Sequence, residues 1–133
     1  MIKVADGCII EETGTRYYKE GLLHREDGPA FECVDGDKYW MINGLFHRLD
    51  GPALIYVNGR KDWFFKGERH RIGGPAIEDI CGYNAYYVNG KTHREDGPAF
   101  IFNGIPEWWL YGEKVSCSSQ EEFIKLLKLK AFW

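Results

Sequence analysis

Turn residues cut this chain into short apolar runs. YWMI (39–42) and LFHR (45–48) flank Asn43-Gly44, and ALIYV (53–57) runs from the Asp50-Gly51-Pro52 turn to Asn58-Gly59. Asn-Gly between short apolar runs is a strong hairpin signal, because the tightest hairpin turns need a positive φ at both central residues. The pattern therefore predicts short antiparallel strands. Proline cannot donate to a ladder, which puts Pro29, Pro52, Pro75 and Pro98 at strand starts or edges. After residue 117 the pattern changes. Ser119 and Glu122 form a capping box, Glu121 and Glu122 fall in the first turn, and Lys125, Lys128 and Lys130 follow, predicting one helix over 120–132. Phe123, Ile124, Leu127 and Ala131 form a stripe expected to close the open end of a sheet, with Leu126, Leu129 and Trp133 off it.

The runs recur. His24, His47, His70 and His93 stand 23 residues apart, within GLLHREDGPA, GLFHRLDGPA, GERHRIGGPA and GKTHREDGPA. An aromatic residue (Tyr17, Trp40, Trp63, Tyr86) precedes each His by seven positions. Asp35-Gly36, Asn58-Gly59 and Cys81-Gly82 keep the same period. A degraded fifth copy, Asn103-Gly104 and Trp108 to Gly112, runs one residue short, with Val115 and Ser116 where His-Arg would stand. Residues 2–4 and 8–10 around Asp6-Gly7 suggest a capping hairpin, since terminal units of a repeat stack are atypical. Ala30, Ala53, Ala76 and Ala99 mark a spot too crowded for a larger side chain. The expected architecture is all-β with one C-terminal helix: an elongated antiparallel sheet of stacked β-hairpin repeats over 1–117, one hairpin per repeat, and a capping helix over 118–133.

Composition agrees. The chain has 133 residues, enough for one domain with a core, and its 16% aromatic content and 16 glycines follow from aromatic strands joined by glycine turns. A net charge of −3 argues against a cationic nucleic-acid binder and a heavily acidic DNA mimic. No run approaches membrane-spanning length and the first residues lack a signal pattern, so the expected compartment is the cytoplasm. Cys8, Cys33, Cys81 and Cys117 are scattered and are read as free thiols.

The aromatic strand, Asn-Gly turn and His on a 23-residue period resemble the MORN repeat over roughly residues 14–115. The variant is divergent: where that family has NGxxHGxG, this chain has GxxHRxDGPA, with Arg25, Arg48, Arg71 and Arg94 replacing the Gly after His. Such HRxDGPA units also resemble those of short proteins from bacteriophages and large DNA viruses. The resemblance implies an elongated, twisted hairpin stack used for assembly or partner binding, and it does not imply an enzyme.

A His-Arg pair in every repeat, joined by Asp in three of the four, invites a metal or catalytic reading, and spacing opposes both. Equivalent residues one two-stranded unit apart lie roughly 9–10 Å apart, whereas ligands of one zinc converge to about 2 Å from it. An active site is a singular constellation, whereas His-Arg recurs four times and the full set three times. Neither catalytic residues, a metal nor a cofactor is therefore expected. The structural expectation is that Asp caps its Gly-Pro turn, Arg pairs with it, and the imidazole packs on a neighbouring ring. In the third copy Gly73 replaces the Asp, so Arg71 is expected to bond outward, beside a basic cluster of Arg60, Lys61, Lys66 and Arg69.

Two aromatic ladders are expected on opposite faces: Tyr17, Trp40, Trp63, Tyr86 and Trp108, and Tyr18, Phe64, Tyr87 and Trp109. A single-layer sheet cannot bury both. The expected function is non-enzymatic protein binding, in its sharpest form that of a phage-encoded inhibitor blocking a host enzyme or defence complex in the host cytoplasm. The expected contact residues are Trp40, Trp63, Tyr87, Trp108, Trp109 and the basic cluster Arg60, Lys61, Lys66, Arg69 and Arg71. Alternatives are nucleic-acid or phosphate-ligand binding through that cluster, and a pure oligomerisation scaffold. Homo-oligomerisation would use the terminal helix, and no membrane contact is expected.

Overall fold

In the computed structural model, which describes residues 7–130, the chain is all-β with one helix, built of stacked antiparallel hairpins. It divides into two compact units, one ending at Arg69 and the other starting at His70, and the helix belongs to the second. In the first unit the strands Gly7–Glu11, Gly14–Lys19, Phe31–Cys33, Lys38–Tyr39, Leu54–Ile55 and Lys61–Asp62 lie side by side in chain order. The second unit repeats the arrangement with Ile77–Glu78, Asn84–Ala85, Phe100–Phe102, Ile105–Leu110 and Glu113–Val115. Among the described residues no helix is long and apolar enough to cross a membrane.

Each repeat contributes two hairpins, where the sequence suggested one. Beside the main strands stand separate two-stranded hairpins such as Met41–Ile42 with Leu45–Phe46, Phe64–Phe65 with Glu68–Arg69, and Tyr87–Val88 with Lys91–Thr92. The aromatic residue seven before His is the switch between them. Trp40 donates its N–H to the Ala53 carbonyl on the main-sheet side, and its carbonyl accepts from His47 N–H on the side hairpin. Tyr17 does the same with Ala30 and His24, and Tyr86 with Ala99 and His93. The alanines take up the space between the two hairpin sets, and all four are fully buried. The crowding expected at these positions is present.

The side hairpins turn on pairs with positive φ at both positions, 49° and 78° at Asn43-Gly44, and the same conformation recurs at Glu20-Gly21, Lys66-Gly67, Asn89-Gly90 and Tyr111-Gly112. Asn58-Gly59 reads identically in sequence but builds a different turn, in which the Asn58 side chain accepts from Arg60 N–H and only the glycine has positive φ.

At the start, Cys8, Ile9 and Ile10 pair forward with Tyr17, Arg16 and Thr15, and the first described hairpin turns at residues 12–13. The first arm of the expected capping hairpin, residues 2–4, lies outside the described residues, as do Ala131 and Trp133. The helix runs Gln120–Lys130. Its cap forms as expected, with Ser119 Oγ accepting from Glu122 N–H, while the Glu122 carboxylate reaches back to Ser118 and not to the Ser119 backbone. Phe123 and Leu127 pack on Trp108, Leu110, Val115 and Cys117. Ile124, assigned to the buried stripe, is 41% exposed instead.

Candidate functional site

Three of the four full repeats build the same loop from His-Arg-x-Asp-Gly-Pro-Ala, the third having Gly73 in place of the Asp, and the arginine organises it. Arg48 donates Nε–H to Asp50 Oδ1 at 3.1 Å and Nη1–H to the Pro52 carbonyl at 3.1 Å. Its guanidinium lies 4.0 Å from the Trp40 ring centroid. On its other side lies Gly51, where any Cβ would stand 2.9 Å from the guanidinium carbon. The cation is thus sandwiched between an aromatic face and a bare backbone, which gives one physical reason for both the aromatic residue and the Gly in the repeat. Arg25 and Arg94 repeat the set with Asp27, Pro29 and Tyr17, and with Asp96, Pro98 and Tyr86. The hydrogen bond and charge of Arg94 hold the Asp96 carboxyl below the ordinary carboxylate range. Arg71, which lacks an Asp, keeps the Pro75 carbonyl bond and pairs with Glu78 at 3.6 Å.

The histidines do something the sequence did not reveal. His24 Nδ1 accepts from the backbone N–H of Asn43, His47 from Lys66, His70 from Asn89 and His93 from Tyr111, all at 2.9–3.0 Å. Each acceptor pins the first residue of the next side-hairpin turn, the residue held at positive φ. A nitrogen accepting in this way carries no proton, so the ring proton sits on Nε2. Two of the imidazoles also meet rings as expected: His47 packs on Phe65 at 4.8 Å and His93 stacks on Tyr111 at 3.9 Å.

The pin can be tested. His47→Ala is expected to cost about 1 kcal/mol and to speed hydrogen exchange at the Lys66 amide. His47→Asn, whose Oδ1 can take the place of Nδ1, is expected to recover most of both. An unchanged Lys66 exchange rate in the alanine variant would remove the assignment.

Between successive loops lies a cleft. In the first unit it encloses about 760 Å³, with Trp40 and Ile42 on its floor and the segments Arg25 to Gly28 and His47 to Asp50 as its walls. In the second unit Arg71 to Gly74 and His93 to Asp96 flank Tyr86 and Val88 around about 320 Å³. Ligand sites commonly span about 300–1,000 Å³.

The expected contact residues separate on inspection. Trp40 lines the larger cleft, and Trp63, Tyr87 and Trp109 are half-buried. Trp108 is only 5% exposed; its ring packs on Phe123 and its indole N–H bonds Gln120, so it is a core residue and not a contact residue. In the basic cluster, Arg60 makes a two-pronged bond to Asp62 and Arg69 a longer one at 3.4 Å, with Asp62 itself 1% exposed. Lys61 and Lys66 are exposed. Exposed aliphatic residues, missed in the sequence, sit at repeat-equivalent positions: Leu49 and Ile72 two residues after His, and Val34, Val57 and Ile80 at main-sheet turns. Their signal was periodicity at positions where a polar loop residue would be usual.

Among the described residues, no group of three or more His, Cys, Asp or Glu side chains is placed to hold a metal ion. All four cysteines are free, and burial pushes the Cys33 and Cys117 thiols up. No family model, curated protein or solved structure matches this chain.

Proposed function

We propose that this chain is a non-enzymatic protein-binding module that presents variable side chains on a repeated rack. The observation that carries the reading is the 760 Å³ cleft of the first unit, with Trp40 and Ile42 beneath and the 81% exposed Leu49 on its rim. An aromatic and aliphatic recess open to solvent is the anatomy of a contact patch. The loop chemistry around it is taken up by architecture: His accepts a turn amide, Arg is bonded to Asp and Pro, and neither is left facing the recess as an acid, base or nucleophile pair. The narrower form, a phage inhibitor of a host complex, rests on the resemblance of the repeat alone.

Affinity capture with the tagged full chain, followed by crosslinking, is expected to recover one protein at stoichiometric yield, and Leu49→Ser, which removes the apolar rim without changing charge, is expected to reduce that yield at least tenfold. Recovery of nucleic acid in place of protein would favour the phosphate-binding reading, but Arg60 and Arg69, both engaged by Asp62, weigh against it. Absence of any stoichiometric partner would overturn the protein-binding reading.

A further inference from the structure

We infer that the cleft of the first unit seats a lysine or arginine side chain from an extended basic segment of a partner protein, an inference that rests on the protein-binding reading above. Two properties of the cleft select that occupant. The floor and one rim, Trp40, Ile42 and Leu49, give an apolar bed suited to a long aliphatic stem. The rest of the rim is anionic. Glu26 is 77% exposed and Asp27 and Asp50 each 87%, whereas the lining guanidiniums of Arg25 and Arg48 are only 24% exposed.

Each of those arginines is bonded to its own Asp and its own Pro carbonyl, and Arg25 also to Glu32, which does not line the cleft, so these donors are engaged by the protein itself. Each Asp gives only Oδ1 to its arginine, and Glu26 gives only Oε1, at 3.4 Å, to His24 Nε2. The lining therefore carries three carboxylates against two cations, with the carboxylates at the mouth. An incoming cation meets the acids first. An acidic segment would meet them too and be repelled.

The recess in the second unit is an internal control. Its lining balances Arg71 and Arg94 against Glu95 and Asp96, and it has less than half the volume, about 320 Å³ against about 760 Å³. Among these loop positions, the second residue after His is the one that changes side-chain class freely (Glu26, Leu49, Ile72, Glu95), while Arg, Gly, Pro and Ala at the framework positions do not change. Specificity is therefore expected to reside at this position.

The test titrates the full chain with an end-blocked eight-residue peptide alternating lysine and alanine, and with its glutamate–alanine counterpart. Heteronuclear NMR follows the Trp40 indole N–H and the Leu49 methyls. The expected result is saturable binding of the basic peptide that shifts both signals and weakens as salt is added. Glu26→Gln is expected to weaken it about threefold and Glu26→Lys about tenfold. Glu95→Lys leaves it unchanged.

Three results would overturn the inference: no binding of the basic peptide, equal binding of the acidic one, or equal loss in the Glu95→Lys variant. The two readings fail separately. A captured protein partner whose yield is indifferent to Glu26→Lys removes the basic-segment inference and leaves protein binding standing. Failure to capture any partner removes the protein-binding reading itself.

Discussion

Truncating Phe123 to Ala is expected to destabilise the second unit by about 3–5 kcal/mol, the usual cost of emptying a buried phenylalanine site. Phe123 is fully buried and is the one buried side chain of the helix. Its ring lies 6.3 Å from that of Trp108, with Leu110, Val115 and Leu127 around it. At 11 residues the helix is shorter than peptides of about 12–15 residues, which are themselves marginal alone in water. Once undocked it should therefore unravel despite its Ser119 cap. Denaturant unfolding should show the loss, and Trp108 emission should shift to the red as its indole loses Gln120 and gains water. A change below about 1 kcal/mol with native Trp108 emission would mean the helix is not held by this contact.

Gly14→Ala is expected to cost about 4 kcal/mol, combining an unfavourable backbone with a clash that cannot relax. Gly14 sits at φ +145°, a conformation that side chains rarely allow. A Cβ there would fall inside the contact radius of the Glu32 carbonyl oxygen and within 2.9 Å of Cys33 Cα, both on the neighbouring strand's backbone. The strand would have to part from Phe31–Cys33, with which Gly14, Thr15 and Arg16 are in register. Loss of amide protection confined to residues 14–16 and 31–33 is the expected sign. Full protection of those amides in the variant would refute the clash.

Much of this architecture was legible in 23-residue self-similarity, because turns with special φ and buried alanines leave marks in composition. The Arg–Asp pairing was legible for the same reason: opposite charges two residues apart in three of the four loops imply each other. Other features had no such mark. The partner of each histidine is a backbone N–H, 19 residues on in three cases and 18 in the last, and a backbone group carries no residue signature. Asn43-Gly44 and Asn58-Gly59 differ in conformation although the dipeptide is the same, since neighbouring strands decide which turn fits.

Trp108 was misplaced for a related reason. At Tyr17, Trp40 and Tyr86, the arginine eight residues later lies over the ring. The fifth copy has Ser116 there, and Phe123 of the helix packs on the ring instead. A missing arginine in the sequence was the clue that the ring needed another cover. The exposed aliphatic residues outside the cleft were least legible, because exposure at a loop tip depends on which way the loop is held.

The recurrent link from each histidine to the next turn also bears on how the chain assembles. Within each unit such links span fewer than 20 residues, so contact order is low and little loop entropy must be lost before native contacts form. A repeat can then template its neighbour, as in a one-dimensional stack whose growth starts at any rung. The one-residue deficit in the fifth copy, where the link shortens to 18, lies where the series hands over to the helix. Repeat length is in this sense a ruler, and the shortened copy is where the chain stops counting.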